Sequence, residues 1–368
     1  MSWVDTRPGN RGLINLCQAV PSYPPSTSLQ DHLAAAVTEP GTSLYTDIAG
    51  LPELRRELAV SMGKDYRGDI EPADVLIAAG CNQAYCLAML AHARAGDNVI
   101  LPSPFYFNHE MWLSMLGVEA RSIPSLHGSS AVPSVADAAS LIDQRTRAIV
   151  LVTPNNPTGA IFPSTVISEF FELARSRNIA LVLDETYKDF RSDPAPPHDL
   201  FQRADWRDTF VQLYSFSKAY ALTGYRVGSI IAGPQFIAEI EKVMDCVSIS
   251  APHVSQLAAL FGLRSLASWK SEKGRMMSAR LQSLRKAFHR SRLNYELVSS
   301  GAYFAYVRHP FEDTPAKTVA QRLAREHQLL CLPGSMFGPG QERYLRLAFA
   351  NVEAHVMPDV VDRLAECQ

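Results

Sequence analysis

Four residues in one short stretch carry groups that could act together: Lys218, flanked by Ser215 and Ser217, and Arg226 eight positions on, with glycines at 224 and 228. Two hydroxyls and a fork-shaped cation are the groups that hold a phosphate dianion. A lysine beside such a site forms a Schiff base with a carbonyl once its surroundings free the amine. Together they point to an aldehyde that carries a phosphate, which is pyridoxal phosphate. An arbitrary lysine is a solvated surface residue, but the neighbours here argue otherwise. Phe210-Val-Gln-Leu-Tyr214 reads as a buried strand, so Ser215 to Lys218 fall at a strand's end, where α/β enzymes place their chemistry.

Other candidates occupy similar places. Val75-Leu-Ile-Ala-Ala79 is apolar throughout and leads through Gly80-Cys-Asn-Gln-Ala84 into a helical stretch at 84–94. Strand, small-residue turn and helix N-terminus make an anion cup, or merely a β-α turn. Asn98-Val-Ile-Leu101 runs on to Tyr106, an aromatic that either stacks on a flat ring or fills core. Arg147 to Thr153 is the next strand, entering Pro154-Asn-Asn-Pro-Thr-Gly159, a constrained turn able to aim Asn156 into a crevice. Asp184 directly follows Ile179-Ala-Leu-Val-Leu183, as a helix cap or a site residue. Within Tyr344-Leu-Arg-Leu-Ala-Phe349, alternation sets Arg346 on one face with Tyr344 and Ala348. Turned inward it clasps a carboxylate bidentately; turned outward it is an ordinary strand arginine.

The elements that must position these groups alternate between strand and helix from about 75 to 232, the pattern of a mostly parallel sheet with helices on both faces. Pro52 opens a helix reaching about Met62. Helices are expected at 29–37, 164–176, 234–246 and 252–290, the last bridging two lobes. Beyond it the style changes to short strands at 295–298, 303–307, 329–332 and 344–349, with helices near 315–327 and 357–366. The expected fold is α/β: a large domain of mostly parallel sheet flanked by helices, plus a smaller α+β domain. The division reads as an irregular N-terminal arm and part of the small domain at 1–40, a large cofactor-binding domain at 41–260, and a bridging helix with the small C-terminal domain at 261–368.

With 368 residues, 47% of them apolar, the chain can bury a large core. Its 35 basic and 37 acidic residues give a formal charge of -2, so no footprint for nucleic acid or an anionic membrane is expected, and small-molecule work is favoured. Six cysteines form no CxxC pair and no metal-ligand spacing with the ten histidines; free thiols in a reducing compartment are expected. No apolar leader or spanning run is evident, and the expected address is cytoplasmic.

Taken together, Tyr45…Gly50, Gly80-Cys-Asn-Gln-Ala84, Pro104-Phe-Tyr106, Asn155-Asn-Pro-Thr-Gly159, Asp184-Glu-Thr-Tyr187, Ser215-Phe-Ser-Lys218…Gly224-Tyr-Arg226-Val-Gly228 and Tyr344-Leu-Arg346 resemble the motifs of the class I/II aminotransferases, pyridoxal-phosphate enzymes of the aspartate aminotransferase fold. The resemblance spans nearly the whole chain. It implies that Lys218 is the Schiff-base lysine and proton shuttle, and that Asp184 pairs with the pyridinium nitrogen. Tyr187 and Asn156 would hydrogen-bond the ring's phenolic oxygen, and Tyr106 would stack on its face. Cys81, Asn82, Ser215, Ser217 and Arg226 would hold the phosphate. Tyr45 would reach the phosphate of a neighbouring subunit in a homodimer with shared sites. Arg346 would bind the substrate α-carboxylate, with Ala19 beside it. Ala19 stands where many relatives carry glycine, Cys81-Asn82 replaces a commoner small or hydroxyl pair, and no second arginine is evident for a side-chain carboxylate. The expected substrates are therefore aromatic or apolar 2-amino acids, with ring surface from Tyr23, Tyr106 and Tyr225, and 2-oxo acids. C–S β-lyases, amino-acid decarboxylases and non-catalytic ligand-binding modules share the scaffold and remain alternatives.

Overall fold

The computed structural model describes residues 12–127, 130–290 and 293–368; the first eleven residues of the N-terminal arm expected at 1–40 lie outside them. Seven strands form the large sheet, in the order Val75–Ala78, Gly228–Ile231, Phe210–Ser215, Ala180–Asp184, Thr146–Val152, Asn98–Ser103 and Glu119–Pro124. All neighbours are parallel except Gly228–Ile231, which is antiparallel to the strands on both sides. Strands covered on both faces must be apolar at every position rather than at alternate ones. Val75 to Ala78 and Leu181 to Leu183 accordingly have no exposed member. Cys81–His92, Ser164–Ser176 and Pro234–Ser248 are among the helices of this layered core.

A second core surrounds a four-stranded antiparallel sheet, ordered Glu296–Gly301, Phe304–Arg308, Tyr344–Ala348 and Leu332–Pro333. Helices Ala316–Glu326 and Met357–Glu366 cover it with Val319, Leu323, Val360 and Leu364. The N-terminal segment joins here too, since Ile14–Asn15 pairs in parallel with Leu329–Leu330 and Leu16 is fully buried. A third cluster, including Tyr187, Tyr303, Phe304 and Met277, lies between the two cores.

Two differences from the sequence reading bear on the site. The helix expected at 84–94 begins at Cys81, because Gly80 turns the chain at φ +89°. The helix expected over 252–290 is two, His253–Ser265 and Ala267–Arg290, with buried Leu266 between them. That break carries no Pro or Gly signal; Leu266 joins the large core while Leu284 joins the small one. The helix Phe107–Met115 and the strand Glu119–Pro124 have no counterpart in the sequence reading. All six cysteines are free thiols. Among the described residues, no helix is long and apolar enough to cross a membrane, and no His, Cys, Asp and Glu gather as a metal site.

Candidate active site

The carboxyl ends of the central strands surround a cavity of about 170 Å³ lined by Cys81, Asn82, Tyr106, Val152, Asn156, Asp184, Thr186, Tyr187, Ser215, Ser217, Lys218 and Arg226. Ser215 ends its strand and caps the short helix Phe216–Ala219, its hydroxyl accepting the Ser217 N–H at 3.2 Å. This turn delivers Lys218, whose Nζ donates to the Ala19 carbonyl at 2.6 Å. Burial, followed by the positive charges of Arg226 and Arg346, lowers the Lys218 pKa from 10.5 to about 8. More of the side chain is then free amine at neutral pH than for an ordinary lysine.

The same cavity brings together groups suited to an anion. Gly80 turns at φ +89°, a conformation that favours glycine, and a Cβ there would also fall 2.3 Å from Nη2 of Arg226. The helix beginning at Cys81 leaves its first N–H groups without intrahelical partners. Arg226, itself at φ 55°, is held by the Thr223 carbonyl at 3.1 Å and approaches the Ser217 hydroxyl at 3.5 Å.

Asp184 is the last residue of its strand. One carboxylate oxygen accepts the Thr186 N–H at 2.9 Å, and the other lies 3.4 Å from Nε2 of His109. Burial pushes this carboxyl up, but His109 and Thr186 outweigh it and hold it below the usual aspartate value. The side chain is thus kept ionised inside the protein rather than spent on a helix cap. His109 stacks on Tyr85 with ring centroids 4.0 Å apart. Sequence reasoning singled out neither Val152 and Thr186, which line the cavity, nor His109, which contacts Asp184. For His109 and Thr186 the only signal was adjacency, His109 to Tyr106 and Thr186 to Asp184.

Asn156 is aimed by its loop. The Asn155 side chain accepts from the Thr158 N–H at 3.1 Å and hydroxyl at 2.9 Å, and Gly159 closes the turn at φ +74°. A Cβ on Gly159 would meet the Gly301 backbone nitrogen at 2.4 Å, so the loop rests directly on the backbone of the small sheet. From there the Asn156 side-chain oxygen accepts from Nη1 of Arg346 at 3.2 Å. Arg346 is turned inward and buried, with Nη2 donating to the Cys17 carbonyl and Nε without a hydrogen-bond partner among the described residues. Burial lowers its pKa. Tyr187 is buried against Tyr303 and Phe304, and burial pushes its phenol well up. Tyr106 receives a hydrogen bond from Asn108 at 2.8 Å. Two of the three expected ring surfaces do not line the cavity: Tyr23 packs edge-on to Trp269 and Tyr225 lies against the large core. Tyr45 is 76% exposed and does not line the cavity of its own chain.

The two-core architecture, with a lysine at the end of a mostly parallel sheet, is that of the aspartate aminotransferase fold. The profile of "Aminotransferase class I and II" matches residues 11–364, and the chain belongs to that family. An aspartate aminotransferase of Pyrococcus horikoshii is 27% identical over 342 residues, covering 92% of this chain and 86% of its own. An aromatic-amino-acid aminotransferase of Thermococcus litoralis is 24% identical, covering 98% of this chain and 92% of its own. The crystal structure of an aromatic aminotransferase from Pyrococcus horikoshii superposes with a TM-score of 0.89 at 22% identity, covering 96% of this chain and 95% of that one.

Members of the family use pyridoxal 5′-phosphate, and the residues present fit it. The turn at Gly80 brings free helix N–H groups and a guanidinium together for a phosphate. Asp184 supplies a buried negative charge for a pyridinium, and Lys218 supplies an amine poised to deprotonate.

Proposed function

We propose that this aminotransferase moves the amino group of an aromatic or apolar 2-amino acid to a 2-oxo acid. The observation that carries the reading is Arg346, a buried guanidinium with no paired carboxylate among the described residues and with Phe304 and Phe337 within 5.2 Å and 5.1 Å of its carbon. A substrate α-carboxylate supplies the missing partner through two charge-assisted hydrogen bonds. Besides these two phenylalanines, Tyr106 and Tyr187 are the rings in a lining that is otherwise largely polar. Among the described residues lining the cavity, Lys218 and Arg226 are the cations, and both have other work.

When bound, the cofactor supplies a carbonyl for the amino group and a ring that accepts the electrons left as the α-proton departs. Lys218 Nζ would take that proton and return it two bonds away, at the carbon that had been the cofactor's carbonyl. Asp184, steadied by His109 and Thr186, would keep the ring nitrogen protonated. Asn156 and Tyr187 would donate to the phenolic oxygen, and Tyr106 would cover the ring face. Ser215, Ser217, Arg226 and the N–H groups of Cys81 and Asn82 would hold the phosphate. Asn156 also steadies Arg346 on the carboxylate, with Ala19 alongside. Single-turnover mixing with a panel of amino donors tests the substrate class. Aromatic and apolar donors should bleach the bound cofactor's absorption about tenfold or more faster than aspartate. Faster bleaching by aspartate would overturn the class, and donors that release a thiol or carbon dioxide with the absorption unchanged would mark a lyase or decarboxylase.

The exposed Tyr45, next to exposed Leu44, supports a homodimer in which it completes the neighbour's phosphate site. Mixing Tyr45→Ala with Lys218→Ala chains should then restore roughly a quarter of wild-type activity, the share of sites left whole when two variants assort at random. No recovery from chains shown to exchange would place Tyr45 outside the shared site.

A further inference from the structure

We propose that Phe337 and Phe304 form an aromatic seat that keeps the Arg346 guanidinium charged and presents it edge-on, so that Phe337 is a positioning residue for the substrate α-carboxylate. The inference rests on the assignment of Arg346 made above. A guanidinium withdrawn from water loses its hydration, and this one has only the neutral oxygens of Asn156 and Cys17 as hydrogen-bond partners among the described residues. The faces of two aromatic rings add negative potential beside it, at 5.2 Å for Phe304 and 5.1 Å for Phe337. Rings that occupy the approach to a guanidinium's plane leave its edge for partners, and the edge is where a carboxylate is gripped by two parallel hydrogen bonds.

The two rings reach Arg346 by different routes. Phe304 comes from the adjoining strand, in which Tyr306 is the direct partner of Arg346 and Phe304 the next residue on the same face. Phe337 comes from the turn Gly334–Phe337. Its carbonyl accepts the Phe105 N–H at 2.9 Å, and its ring lies 5.6 Å from that of Phe107. The next residue, Gly338, sits at φ +122° with the Phe105 ring 3.0 Å from where its Cβ would be. Phe337 therefore touches the carboxylate clasp on one side and the segment carrying Tyr106 on the other.

Size and electronics separate this role from simple core filling. Replacing Phe337 with phenylalanine carrying one, two and three ring fluorines keeps the shape and drains the ring face of negative potential. The probe is the α-methylated form of the best donor found in the panel, which has no α-proton to lose and so reports an equilibrium dissociation constant. That constant should rise stepwise to about tenfold across the series, with pyridoxal phosphate affinity and melting temperature unchanged. Arg346→Lys, which keeps the charge but loses the fork, should raise it at least as far. A flat fluorine series beside an Arg346→Lys defect would overturn the aromatic seat alone. An Arg346→Lys variant that binds the probe normally would overturn the carboxylate assignment and the seat with it.

Discussion

Lys218→Ala is expected to bind pyridoxal phosphate and to be unable to turn over. Removing the amine takes away both the covalent anchor and the group that carries the proton, and proton transfer by a placed side chain alone is worth on the order of 10²–10⁴-fold. Activity should fall by at least that much, as measured by product formation after prolonged incubation. The cradle of Ser215, Ser217 and Arg226 is intact in the variant, so cofactor should still bind, now releasable by dialysis. In the wild-type protein, borohydride should fix the cofactor on Lys218; a label recovered on another lysine would overturn the assignment. The lowered pKa adds a signature. Only the neutral amine attacks an aldehyde, so capture of pyridoxal phosphate by cofactor-free protein should quicken as pH rises toward about 8 and level off above it. A rate still rising tenfold per unit up to pH 10 would mean that Lys218 titrates like an ordinary lysine.

Asp184→Ala should fold normally and lose on the order of 10²–10³-fold in turnover, the usual cost of removing one preorganised electrostatic group. The side chain is buried, and its charge is maintained by His109 at 3.4 Å and the Thr186 N–H at 2.9 Å. With the carboxylate gone, nothing holds a proton on the ring nitrogen and the ring accepts electrons less readily. The discriminating measurement is the first half-reaction under single-turnover conditions, with thermal unfolding as control. A near-wild-type rate would reduce Asp184 to a turn-forming residue.

These groups were legible because each is announced by its own neighbours. Lys218 has its serines and its strand, Asn156 its constrained turn, and Asp184 the apolar run before it. His109 was not legible, since what ties it to the cavity is a contact with a residue 75 positions away, on a helix whose half-exposed sequence shows no clear period. The strand Glu119–Pro124 escaped for a related reason. It lies at the sheet's edge with one residue of six buried, so it lacks the continuous apolar run of its central neighbours. Arg346 was half legible. Alternation fixed which residues share its face, but whether that face looks into protein depends on Phe304 from the next strand and Phe337 from a distant turn. The Cys81 helix start was hidden by a conformational detail, the positive φ of Gly80, that composition does not carry.

The place where Gly159 rests on Gly301 has a mechanical meaning. Neither residue has a side chain that could swing aside, so the seam between the loop of the large sheet and the edge of the small one has no rotamer with which to absorb a misfit. A methyl group on either α-carbon would act as a shim. Asn156 stands on one side of that seam and Arg346 on the other, joined by one hydrogen bond of 3.2 Å, and the shim would part them. With Arg346 holding the substrate as proposed, that hold is set by two absent side chains, whose emptiness gauges the gap across which it is made.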